Sequence, residues 1–159
     1  MKYLKLDNLE ISIAIADISK KIIESNYQPD VLISIGRGGM VLTRYLSDIL
    51  GVKEIGYLPI SMYTGVKTRN NKPKIGSLNI SVYKKNVLLI DDIVDTGVTI
   101  ESAIDLMRQQ GASTFKTVAI ICRDTITRKP SYYHMDCDSD SWVIFPWEHT
   151  EFGKVMNDE

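Results

Sequence analysis

The sequence predicts an α/β fold, a mostly parallel twisted sheet flanked by helices, and three observations carry that prediction. Short apolar runs at Val31–Ile35, Asn86–Ile90 and Phe115–Ile121 lack polar alternation, as strands covered on both faces do. Between them lie stretches of helical period that stop at glycine, at Gly51 and again at Gly111. Strand and helix alternate throughout, which calls for crossover connections around a parallel sheet.

Taken in order, Asp7 or Asn8 caps a first helix whose apolar face is Ile11, Ile15, Ile18 and Ile22, and which ends near Asn26. The run Val31–Ile35 is a buried strand stopped by Gly36. Val41, Leu42, Tyr45, Leu46, Ile49 and Leu50 form the stripe of a second helix over Met40–Leu50. Glu54–Tyr63 is extended, with Pro59 marking an edge or a bend. Residues 64–77 (TGVKTRNNKPKIGS) have almost no apolar anchor and read as a mobile basic loop. The strand Asn86–Ile90, a helix over Val98–Gln110, the strand Phe115–Ile121 and a short strand at Trp142–Phe145 complete the order. No repeat or linker divides the chain, and 159 residues suffice for one core, so 1–159 is expected to be one domain.

The formal net charge of -1 argues against a generic nucleic-acid grip, which needs a clear basic excess. Cys122 and Cys137 stand without a CxxC or a His cluster, so neither zinc nor a disulfide framework is indicated and a reduced, cytoplasmic setting is expected. No run of about 18 apolar residues is present to span a bilayer. The start, MKYLKLDNLE, lacks the apolar centre of a signal peptide, so neither export nor membrane insertion is expected.

The most informative segment is Val87–Thr99, VLLIDDIVDTGVT. Its strand delivers Asp91 and Asp92 to the carboxyl edge of the sheet, where open α/β folds bind ligands. Carboxylates there accept hydrogen bonds from a ribose diol or hold a hydrated metal. Asp95, Thr96, Gly97, Val98 and Thr99 then stand where a helix begins, and small residues with hydroxyls at a helix N-terminus suit a phosphate. Read alone, the run also fits a Walker B strand, a haloacid-dehalogenase-like acidic loop or a helix cap with chance acids. A Walker A sequence is absent.

A second constellation, Ser34-Ile-Gly-Arg-Gly-Gly39, surrounds one arginine with glycines, so that backbone can approach an anion while Arg37 adds charge. Val41 occupies the place of the third glycine in a dinucleotide fingerprint, and by itself the loop is equally a plain strand-to-helix turn.

The long acidic run resembles the signature of type I phosphoribosyltransferases, and with the upstream glycine loop the resemblance extends from about Val31 to Glu148. It implies that fold, with a flexible lid and a small base-binding hood. Asp91 and Asp92 then hold the ribose hydroxyls and magnesium, while Asp95 to Thr99 hold the 5-phosphate of 5-phosphoribosyl-1-pyrophosphate. Gly36, Arg37, Gly38 and Gly39 become the pyrophosphate loop, with a non-proline cis peptide near Gly36–Arg37, and Arg37 offsets charge on the leaving group. Asp95 is the candidate general base. The lid follows Ile60-Ser-Met-Tyr63, where Met62 takes the place of a serine and Ser61 falls one residue early. Lys67, Arg69, Lys72 and Lys74 are all candidates to touch the leaving pyrophosphate.

The segment Ser141–Glu148 (SWVIFPWE) resembles the end of xanthine-guanine phosphoribosyltransferases and their archaeal purine relatives. There Trp142 stacks on the purine, backbone at Trp142 and Val143 reads its edge, and Glu148 helps hold magnesium. Without the resemblance, a Trp in an apolar strand is more often core. Arg123 replaces a lysine that contacts the exocyclic oxygen, and arginine is not its equivalent. The expectation is a 6-oxopurine phosphoribosyltransferase of purine salvage acting on hypoxanthine, guanine or xanthine, as a dimer or tetramer. The alternatives are a pyrimidine or other-base transferase, a noncatalytic phosphoribosyl-pyrophosphate-binding regulator, or another phosphate-binding enzyme on a doubly wound sheet.

Overall fold

The computed structural model describes residues 2–61 and 73–148. Most of the expected lid, with Met62 and Tyr63, lies outside them.

Helix α1 spans Asn8–Glu24 and starts with a reciprocal cap. Asp7 Oδ1 accepts from the Glu10 N–H at 2.8 Å, and the Asp7 N–H donates to Glu10 Oε2 at 2.7 Å. The helix stops short of Asn26, which has a left-handed φ of 57°. Strand β1 (Lys2–Lys5) precedes it, and β2 (Val31–Ile35), α2 (Met40–Leu50), β3 (Ile55–Leu58) and β4 (Ile60–Ser61) follow. Gly51 closes α2 at φ 68°, the conformation that glycine adopts without a Cβ penalty.

The described end of the segment read as a loop contains a strand. Lys74–Ile75 form β5, paired antiparallel with β4. Then come β6 (Asn86–Ile90), β7 (Ile93–Val94), α3 (Val98–Gln109), β8 (Thr114–Arg123), β9 (Tyr132–Cys137) and β10 (Ser141–Ile144).

The main sheet is parallel, in the spatial order β3, β2, β6, β8, β9. β7 resumes the path of β6 in unchanged register, since Ile90 faces Val118 and Ile93 faces Ile121. Asp91 and Asp92 are therefore an interruption within one strand line. Strand β9 and the return through residues 124–131 without a helix were not foreseen, because YYHMDC mixes polar and apolar residues as an edge strand does. β10 stands apart from the main sheet and pairs in parallel with β1, forming the small hood.

The apolar runs alternate between two cores. Leu32, Leu88 and Ile90 face Ile15, Ile18, Ile22, Leu42 and Leu46 of α1 and α2. Val31, Ile33, Val87 and Leu89 face Ile100, Ala103, Ile104 and Met107 of α3. Both faces of the sheet are covered, which is why the strands carry no polar alternation.

Candidate active site

The carboxyl ends of β2 and β6 meet through two glycines. After β2 the chain turns at Gly36, φ +53°, whose N–H donates to the Leu58 carbonyl at 2.9 Å and whose carbonyl accepts from Ser34 Oγ at 3.1 Å. The expected cis peptide near Gly36–Arg37 does not occur; all peptide bonds of the described residues are trans, and the left-handed φ of Gly36 supplies the change of direction. A Cβ on Gly39 would lie 2.1 Å from the Ile90 carbonyl oxygen, so only glycine lets the start of α2 press against β6. A Cβ on Gly38 would lie 2.5 Å from Asp92 Oδ1. The glycine loop thus rests directly on the acidic motif, with Arg37 exposed at its tip.

Backbone hydrogen bonds to β8 fix the two acids. The Asp91 N–H donates to the Val118 carbonyl at 3.0 Å, and the Asp92 carbonyl accepts from the N–H groups of Ile120 and Ile121 at 2.9 and 3.1 Å. The Asp92 N–H donates to Asp91 Oδ1 at 2.9 Å. Burial first, and then the neighbouring Asp92 charge, pushes the Asp91 carboxyl well above the ordinary carboxylate range; burial also raises Asp92. Two adjacent acids whose negative charge is destabilised by burial form a donor set that suits magnesium, which takes one or two carboxylates and completes its shell with water and substrate oxygens. Glu148 does not gather with them: among the described residues no three His, Cys, Asp or Glu side chains form a metal-ligand group. Its Oε2 accepts from the Phe145 N–H at 3.0 Å and closes the turn after β10.

Downstream, Asp95 and Thr96 are exposed and Gly97 adopts φ +81° immediately before α3. The Gly97 carbonyl accepts from the Glu101 N–H at 3.0 Å, and the Val98 N–H makes a long 3.4 Å contact to Thr96 Oγ1. No side chain caps the helix. A groove lined by Thr96, Gly97, Val98, Glu101, Thr125 and Ile126 runs beside this helix start, and half-buried Thr99 follows on the first turn. Unpaired amides at a helix N-terminus suit a phosphate dianion.

Arg123 ends β8 nearly buried, with 8% of its surface exposed. Its Nε donates to Asp95 Oδ1 at 2.8 Å, and Nη1 donates to the carbonyls of Asp138 at 2.8 Å and Ser141 at 2.6 Å. Nη1 also lies 3.5 Å from Cys137 Sγ. Composition and spacing gave no sign of these contacts, since the partners lie far away in sequence.

On the hood, Trp142 pairs with Tyr3 and is 47% exposed, whereas Val143 is buried. The second tryptophan, Trp147, stacks on Phe145 at 5.0 Å and takes the packing role. Trp142 therefore presents a large aromatic surface beside the residue whose carbonyl Arg123 holds.

This arrangement has relatives. A crystal structure of purine phosphoribosyltransferase from Pyrococcus horikoshii shares 30% identity with this chain, covers 93% of it and 95% of its own length, and superposes with a TM-score of 0.81. The Helicobacter pylori xanthine-guanine-hypoxanthine phosphoribosyltransferase has the same fold at 20% identity, with a TM-score of 0.81 over 98% of this chain and 99% of its own. The bifunctional protein PyrR of Bacillus cereus is 28% identical over 132 residues, 76% of this chain and 73% of that protein. The phosphoribosyl transferase domain family matches residues 5–153, and the chain belongs to that family.

Proposed function

We propose that this protein transfers the phosphoribosyl group of 5-phosphoribosyl-1-pyrophosphate to a 6-oxopurine, as a cytoplasmic, self-associating enzyme of purine salvage that uses magnesium. The observation that carries this reading is the link from Asp95, at the mouth of the phosphate loop, through Arg123 to the strand that displays Trp142. The 30% likeness to a purine phosphoribosyltransferase over nearly the whole chain supports it.

In this mechanism the amides of 97–99 hold the 5-phosphate and orient the donor. Asp91 and Asp92 accept hydrogen bonds from the ribose hydroxyls and would offer oxygens to magnesium, which would supply charge neutralisation. The Gly36–Gly39 loop, its end N–H groups engaged by the Leu58 and Ile35 carbonyls, brings the Arg37–Gly38 backbone close to the leaving group, and Arg37 adds a fixed positive charge where negative charge grows. The bond from C1 to the pyrophosphate oxygen breaks with its electron pair leaving on oxygen, while a purine ring nitrogen forms the new bond to C1. The proton released from that nitrogen passes to the Asp95 carboxylate. Trp142 stacks on the base, and the Val143 backbone reads its edge.

A second reading, a noncatalytic regulator that binds the same donor, takes support from the likeness to a protein described as bifunctional. Donor binding by calorimetry, measured beside turnover for wild type, Asp92→Asn and Asp95→Ala, separates the readings. The transferase reading expects both variants to lose turnover by roughly a hundredfold or more. Full turnover in both folded variants would remove the site assignment, and tight donor binding by a wild type that forms no product from any base would leave the regulator.

A further inference from the structure

We propose that Arg123 is a positioning residue that sets the spacing between the donor site and the base platform, rather than a reader of the base. This rests on the transferase reading and on one cluster of contacts. The guanidinium joins two segments distant in sequence: Asp95 at the phosphate loop, and the turn from Asp138 to Ser141 that leads from β9 into β10.

Its side chain is 10% exposed, while that of Asp95 is 63% exposed. The fixed partner is therefore the arginine, and the acid leans on it from the open side. Nε and Nη1 are already engaged by protein oxygens at 2.6 to 2.8 Å, so a base approaching either would have to displace a formed hydrogen bond, and Nη2 is the remaining donor on a side chain whose plane those bonds fix. Arginine suits this task because its donors have a rigid planar geometry, whereas the ammonium of lysine is a point on a flexible stem. β1 and β10 form a two-stranded sheet whose Leu4 and Val143 pack onto the core beside α1, and Arg123 adds a polar tie from its first residue to Asp95.

The consequence is mechanical. If Arg123 fixes Asp95 and Trp142 relative to each other, its loss blurs the geometry for every base alike. A misplacement of about 1 Å is enough to cost roughly a hundredfold in rate.

The test compares wild type, Arg123→Gln, Arg123→Lys and Asp95→Asn in the full chain. Amide hydrogen exchange needs no turnover, so it decides the strut even if the transferase reading fails; absence of product from wild type would sink that reading alone. The strut predicts that in Arg123→Gln exchange rises together in 95–99 and 138–144 while β2 and β6 keep their protection. Asp95→Asn provides a second cut of the same tie and should loosen 138–144 should the glutamine variant fail to fold. In turnover, kcat should fall by roughly a hundredfold in Arg123→Gln with the order of preferred bases unchanged, and lysine should restore only part of it. Unchanged exchange in both segments would overturn the proposal. So would a defect confined to the base KM with a changed base order, which would make Arg123 a base contact.

Discussion

Asp92 and Gly38 show how single residues build this site. The carboxylate occupies the space that a Gly38 side chain would need, so Gly38→Ala is expected to displace it and weaken donor and metal use. Gly39 has a purely packing constraint, because its missing Cβ faces a backbone carbonyl that belongs to the central strand and cannot swing aside. Gly39→Ala should destabilise the protein by about 2 kcal/mol or more, the upper range for overpacking, read as a lower denaturant midpoint. Trp142→Ala should act mainly on binding: half its surface is already exposed, so stability should fall by only about 1–2 kcal/mol while the KM for the base rises. At this scale the sequence exposed residue types but not their partners. Asp91, Asp92 and the glycines were legible because their spacing is local. The tie from Arg123 to Asp95 and Ser141, and the engagement of Glu148 by its own turn, depend on contacts that only the folded chain creates.

At the scale of elements, the fully buried strands and the helices could be read directly, because a strand covered on both faces, an apolar stripe of helical period and a closing glycine each leave a local pattern, whereas the reciprocal Asp7–Glu10 cap emerged only in the fold. Ile18, fully buried between α1 and the sheet, should cost about 2–5 kcal/mol when changed to Ala. The elements that escaped reading, β1, β5, β7 and β9, are short or lie at sheet edges, where tertiary pairing decides conformation. Strand β9 is fastened to α1 by Asp17, whose carboxylate lies 2.8 Å from Lys21 Nζ and 2.9 Å from His134 Nδ1. Hydrogen bonds from Lys21 first, and then from His134, hold the Asp17 carboxyl below its usual range. A depressed carboxyl stabilises the fold above its unfolded pKa, about 3.9, and that contribution fades as pH falls through the lower folded value. Asp17→Asn should therefore flatten the acid limb of stability below about pH 4, with an effect under about 1 kcal/mol because the pair is partly solvated. An unchanged acid limb would mean that this contact does not contribute.

For the whole molecule, alternating strands and helices place the glycine loop and the acidic run on one carboxyl edge of the sheet, and the hood brings Trp142 to that edge through Arg123. The parallel sheet followed from the order of apolar runs; the hood's pairing with the extreme N-terminus did not, because Lys2–Lys5 carries no strand signal strong enough to stand without a partner. Removing residues 2–5 should consequently speed hydrogen exchange in Ser141–Ile144 and raise the base KM, with the main sheet unaffected. The most direct test of the central claim is nucleotide formation from 5-phosphoribosyl-1-pyrophosphate, with and without magnesium, using hypoxanthine, guanine, xanthine, adenine, uracil and orotate in parallel. The account predicts magnesium-dependent product from at least one 6-oxopurine, and product only from a pyrimidine, or none from any base, would contradict it.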